Sequence, residues 1–149
     1  MAKVGRAARV ASRQRVEAIS ADKTIQSAET GETYIINAKS LITLPALQDG
    51  AYFKFIVGTE IGNDANILKI ISSSSAPMHG VAVTLKNSTA PAVVSAASGD
   101  NRTFINVDAN GGAANKMVEG SYVECTCDGS TWHVTAYICT EGTVATTFG

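Results

Sequence analysis

Residues 120–139 read GSYVECTCDGSTWHVTAYIC, two alternating runs on either side of Asp128-Gly129-Ser130. Successive side chains of an extended strand point to opposite faces, so a period of two divides each run into two rows. Val123, Cys125 and Cys127 make one row of the first run, with Tyr122, Glu124 and Thr126 opposite them. Trp132, Val134, Ala136 and Ile138 make one row of the second, with His133, Thr135 and Tyr137 opposite. An Asp-Gly pair supplies the positive φ that a tight connection needs. The segment therefore predicts a β-hairpin with one buried and one wetter face, anchored in the core by Trp132 and Val134.

The upstream chain repeats this logic with less clarity. Residues 23–27 and 33–37 predict short strands around a turn at 29–32, and residues 40–44 a third, stopped by Pro45. Residues 51–57 alternate cleanly, with Ala51, Phe53, Phe55 and Val57 toward the core and Tyr52 and Lys54 outward. Residues 66–72 follow. In the strand expected at 80–86, Val81, Val83 and Leu85 are assigned inward, Thr84 and Lys86 outward. Residues 87–101 read as a surface loop with at most a short strand at Val93-Val94, and 102–107 as a strand. The decapeptides at 50–59 and 120–129 echo one another faintly, each with a glycine, a small residue and an aromatic opening a strand. About nine short strands separated by turn signals argue an all-β, antiparallel sandwich or jelly-roll-like domain.

A chain of 149 residues suffices for one domain that buries roughly 70% of its unfolded surface. Its net charge of −1 conceals an asymmetry: Lys3, Arg6, Arg9, Arg13 and Arg15 precede the first acidic residue, Glu17. The organisation expected is a basic arm over residues 1–17 and a β body over 18–149. Opposite potentials steer association, so such an arm would lead the body onto an acidic surface. The arm lacks aromatic residues for base stacking, which favours a protein partner over nucleic acid. No apolar run is long enough for a membrane span, and the N-terminus lacks the apolar region of a secretory signal. Three cysteines close no even disulfide framework, so a reducing compartment is the default expectation.

The chemistry-bearing residues point to no reaction. Cys125 and Cys127 are one residue apart, too close for the usual zinc-ligand spacing, and read as small buried hydrophobes. Cys139 falls on the outer row and is the thiol to watch. His79, placed in a loop after Pro77-Met78, and His133 have no nucleophile at a recognisable spacing. No phosphate-cradling loop or dinucleotide fingerprint is present. The expectation is a protein that is not an enzyme, with no cofactor, no catalytic residues and no metal site.

The segments ITLPALQDGAYFKFIVGT, residues 42–59, and EGSYVECTCDGSTWHVTA, residues 119–136, resemble small β-sandwich proteins of tailed-bacteriophage virions. Similar segments occur in head decoration (cement) proteins, cyanophage ones among them, and in tail-fibre modules. The resemblance implies a homotrimer on the outer surface of the capsid, assembled in the host cytoplasm, that stabilises the head by bridging subunits of the major capsid protein. Lys3, Arg6, Arg9, Arg13 and Arg15 would then form the capsid-binding arm. The alternative it leaves open is a receptor-binding β module of a tail fibre, using loop residues such as His79 or 110–112.

Overall fold

The computed structural model describes residues 14–87, 92–97 and 102–149. These form fourteen strands: β1 (Val16–Ile19), β2 (Lys23–Thr24), β3 (Thr33–Ile36), β4 (Ser40–Thr43), β5 (Tyr52–Val57), β6 (Ile61–Gly62), β7 (Leu68–Ile71), β8 (Met78–Lys86), β9 (Val93–Ala97), β10 (Phe104–Asp108), β11 (Lys116–Met117), β12 (Tyr122–Cys127), β13 (Trp132–Glu141) and β14 (Ala145–Phe148). Nine make a large sheet and five a small one, and the two pack as a sandwich. The domain is all-β, as expected. Its first strand takes up Val16 and Glu17, the last two residues that charge assigned to the arm.

The sheets are mixed rather than purely antiparallel, and the reason lies in how the chain winds. From β1 to β5 it crosses between the sheets at every connection. Thus β1, β3 and β5 lie side by side in parallel in the large sheet, and β2 and β4 do so in the small one, where β7 joins them. Parallel neighbours need a crossover. Here the crossover is a strand of the opposite sheet. Residues 23–27 and 33–37 therefore form an arch between sheets rather than a hairpin, and the chain turns between them through a short 3-10 segment at Ser27–Glu29.

The C-terminal half is antiparallel where its turns are tight. β12 pairs with β13 from Tyr122↔Tyr137 to Cys127↔Trp132, as the alternation requires. β12 also pairs antiparallel with β5, which sets the two echoing segments beside one another. Phe53, Phe55, Trp132 and Val134 are all buried, as expected. The Phe53 and Trp132 rings lie 6.0 Å apart and tilted, and Tyr34 stacks on Phe55 at 5.4 Å. Ile42, Ile70 and Ile105 of the small sheet belong to the same buried cluster. Ser121, fully buried where β12 begins, accepts the Cys139 N–H at 2.9 Å and donates to the Val118 carbonyl at 2.7 Å.

Two expectations fail at β8. His79 lies on this strand, not in a loop. The strand is also in the opposite phase: Met78, Ala82 and Thr84 are buried, while Val81 and Leu85 are exposed. The small sheet's edge strand β14 explains the inversion. Thr146 of β14 hydrogen-bonds Thr84 through paired hydroxyls at 2.9 Å and accepts from the Ser95 hydroxyl at 2.7 Å. At this corner Thr84 supplies the hydroxyl that pairs with Thr146 and Ala82 is small enough to fit beneath it, whereas a valine at 84 would leave the Thr146 hydroxyl without that partner. Gly80 belongs to the same row. A Cβ there would sit 1.9 Å from the Val134 carbonyl oxygen, so no other residue lets β8 lie against β13 at this point. We expect Gly80→Ala to cost about 3 kcal/mol, seen in thermal denaturation as a fall in Tm of roughly 10 °C. A variant as stable as the parent would show that the close approach is dispensable.

Candidate functional site

Three surface regions carry the charged, apolar and titratable side chains that could serve a function. The first is the root of the arm. Lys3, Arg6, Arg9 and Arg13 lie outside the described residues. Arg15, the fifth residue assigned to capsid binding, pairs with its own chain: its guanidinium is 3.0 Å from the nearly buried Glu32 carboxylate. The Arg15 carbonyl also accepts the Thr33 N–H, so the arm joins the body as a continuation of the β1–β3 ladder.

Behind Arg15 the carboxylates of Glu17, Glu29 and Glu32 come within 4.8 Å of one another, a group the sequence reading did not anticipate. The Lys23 ammonium sits among them, 2.7 Å from Glu17 and 3.0 Å from Glu29, and 5.0 Å from the centre of the Tyr34 ring. Burial opposes the charge on Lys23, but its hydrogen bonds to Glu17 and Glu29 outweigh that and raise its pKa. Burial likewise opposes ionisation of Glu29, and the Gln26 N–H and Lys23 outweigh it, holding the carboxyl below its usual range. Tyr34 is pushed far above the ordinary phenol value by burial first, then by the charges of Glu29 and Glu32. The cluster stitches β1, β2, the 3-10 turn and β3 together, with a lysine occupying the place where a cation would go.

The second region is the outer face of the large sheet. β12 and β8 pair with the same stretch of β13, so they flank it on opposite sides, and β9 lies beyond β8. Tyr122, Tyr137, Val83 and Val94 are successive register partners across these four strands. The Tyr122 and Tyr137 rings are 5.4 Å apart. With Val81 and Leu85 they form an apolar band turned away from the small sheet, and Val94 at its edge is 62% exposed. On the β5 side the band gives way to Lys54, which pairs with Glu124 at 2.9 Å and lies over the Tyr122 ring. Inverted phasing of β8 kept this band out of the sequence reading. The signal was the small row Gly80, Ala82, Thr84, legible only once β14 is known to press against it.

The third region is the turn of the last hairpin. Asp128 Oδ1 accepts three hydrogen bonds at 2.8 Å, from the Ser130 and Thr131 N–H groups and the Ser130 hydroxyl, while Gly129 takes φ +88°. Its Oδ2 is 2.8 Å from His133 Nε2, and this His133 contact with the donors of the turn holds the carboxyl well below its usual range. His133 and His79 are register partners on β13 and β8. Cys125 and Cys127 are buried, and burial pushes the Cys125 thiol up. Cys139 is half-buried on the outer side beside Leu85 and Val118, apart from the other two.

Fold and surface together define a two-sheet β-sandwich whose large sheet carries an uncovered apolar band. Comparison with family models, with curated proteins and with solved structures gave no match to this chain.

Lys23→Ala leaves three carboxylates facing one arginine, so it should cost about 1–2 kcal/mol at neutral pH. The Glu29 pKa is depressed by folding, so its stabilising contribution is complete above its unfolded value and fades as pH falls through the folded one. The gap in Tm between parent and variant should accordingly narrow below about pH 4. A gap that stays constant down to pH 2.5 would assign the loss to packing instead.

Proposed function

We propose that the chain is a structural virion protein of a tailed bacteriophage, a decoration protein that seats on the outer capsid surface as a homotrimer and bridges subunits of the major capsid protein. The observation that carries this reading is the apolar band of Val81, Val83, Leu85, Val94 and Tyr137 on the outer face of the large sheet. An apolar surface of this kind marks a contact with another macromolecule, and β9, whose only described partner is β8, leaves an open edge beside it. Self-association through this corner would cover both.

The arm root lies at the other end of the same sheet. From β1 to β9 there are six interstrand steps, roughly 29 Å along the sheet at about 4.8 Å each. Trimer contacts and arms therefore need not compete for space. Ordering an arm costs roughly 1–2 kcal/mol per residue, and three arms on one trimer offset this through high effective concentration.

Two measurements test the reading. Val83→Glu combined with Val94→Glu should convert the trimer, read as mass by light scattering, to a monomer that keeps its far-ultraviolet circular dichroism. Deleting residues 2–13, which spares Arg15 and β1, should leave a folded trimer that no longer rebinds expanded empty phage heads. Unchanged occupancy of heads by the truncated protein would overturn the arm's role. Binding of the isolated protein to host cells, with none to heads, would favour a tail-fibre receptor module instead.

A further inference from the structure

The run β1, β3, β5, β12, β13, β8, β9 of the large sheet ends in two strands that have no second partner among the described residues. On these two strands lie the most exposed large apolar side chains described. Val16, Val93 and Val94 are 60%, 61% and 62% exposed, against 42% for the next, Leu85. Natural sheets blunt an open edge with lysine or proline. β1 and β9 carry neither, and their one charged side chain, Glu17, is turned to Lys23.

The hydrogen bonds show which backbone groups each edge offers. Thr33 and Asn37 donate to the Arg15 and Ile19 carbonyls, so by the two-residue period of the ladder Glu17 also faces β3. The N–H and C=O groups of Val16 and Ala18 then point away from the sheet. On the other edge, Trp132 donates to the Pro77 carbonyl and Asn87 to the Thr140 carbonyl. The odd-numbered residues of β8 therefore face β13, and Gly80, Ala82 and Thr84 face β9. Their partners Ala97, Ser95 and Val93 turn their backbones toward β8, which leaves those of Val94 and Ala96 pointing away.

The two edges match. Val16 and Ala18 pair with Thr33 and Ile35, and Val94 and Ala96 with Val83 and Val81, so all four side chains lie on the outer face. Along the run of strands, β9 also points opposite to β1. We propose that β9 of one copy pairs antiparallel with β1 of the next, Val94 opposite Ala18 and Ala96 opposite Val16, with the same contact repeated head to tail around a ring. Each such pair exchanges two N–H···O bonds, and Val93 comes opposite the buried Ile19. A closed ring uses up both edges through one kind of contact, whereas pairing like with like would leave the other edge open to filaments. The ladder stops at Val16, so residues 1–13 take no part in it. This inference rests on the self-association proposed above and not on the virion role.

The test uses the full-length chain with Cys139→Ser, which removes the half-buried thiol. A hydrogen-bonded antiparallel pair sets its Cα atoms about 5.5 Å apart, within reach of a disulfide. Ala18→Cys with Val94→Cys in one chain should give, on mild oxidation, a covalent trimer on a non-reducing gel. Ala18→Cys with Val93→Cys, which lies on the other face, should not. The single variants should stay unlinked alone and form covalent dimers when co-expressed. Ala96→Pro removes only an N–H that faces away from β8. It should keep the parent circular dichroism and raise the concentration at which half the trimer dissociates at least tenfold. A disulfide in either single variant alone would mean that like edges meet, and would overturn the proposal. So would a trimer whose double variant stays unlinked, although that trimer would stand with a different contact. A chain that is monomeric at every concentration overturns both. If it forms trimers once residues 2–13 are deleted, the arm is what covers the edge.

Discussion

β13 is hydrogen-bonded on both sides, by β12 and β11 along one edge and by β8 along the other. The molecule depends on this arrangement. One side of the strand joins it to β12 and β5, whose Phe53 and Phe55 fill the core, and the other joins it to β8 and β9, which supply the aliphatic part of the apolar band. A ten-residue strand can hold neighbours along its whole length only if each lies flush against it. The close approach of Gly80 to the Val134 carbonyl and the buried Ser121 hydroxyl beside the Cys139 N–H are the local conditions for that. Core packing then follows, because the same pairings fix which rows face the small sheet.

The N-terminal half solves a different problem. Its strands are short, four residues in β1, β3, β4 and β7, and none could bury much surface as part of an isolated hairpin. Winding between the sheets lets each short strand contribute an apolar row to a shared interior. Charges stay at the margins of the coil. Lys23 and Arg15 balance the three glutamates at the arm's root, and Lys39 pairs with Asp64 at 2.8 Å.

Strand positions were largely legible because alternation is a local property. Residues 51–57 and 122–138 betray their inner faces through Phe53, Phe55, Trp132 and Val134, which alternate with Tyr52, Lys54, His133 and Thr135. Strand partners were less legible. Whether 23–27 folds back on 33–37 or crosses to another sheet depends on which apolar row finds cover, and that is decided by residues far away. β14 shows the limit: Ala-Thr-Thr-Phe carries almost no apolar pattern, yet its Thr146 dictates the phase of β8. The same inversion hid the apolar band, while placing His79 in a loop hid its pairing with His133. The acidic cluster was hidden for another reason, since Glu17, Glu29 and Glu32 converge only after β1 and β3 pair.

The order in which the chain is made gives the pairing of β8 with β13 a consequence during synthesis. Residues 78–86 leave the ribosome with β9 soon available on one edge, while β13 follows only after some fifty more residues. Until then MHGVAVTLK offers a bare strand edge and an uncharged run of valine, threonine and leucine, the composition that favours cross-β contacts between nascent chains. Lys86, at the end of this run, supplies its only full positive charge. Expression conditions that slow synthesis between these two strands would lengthen that exposure.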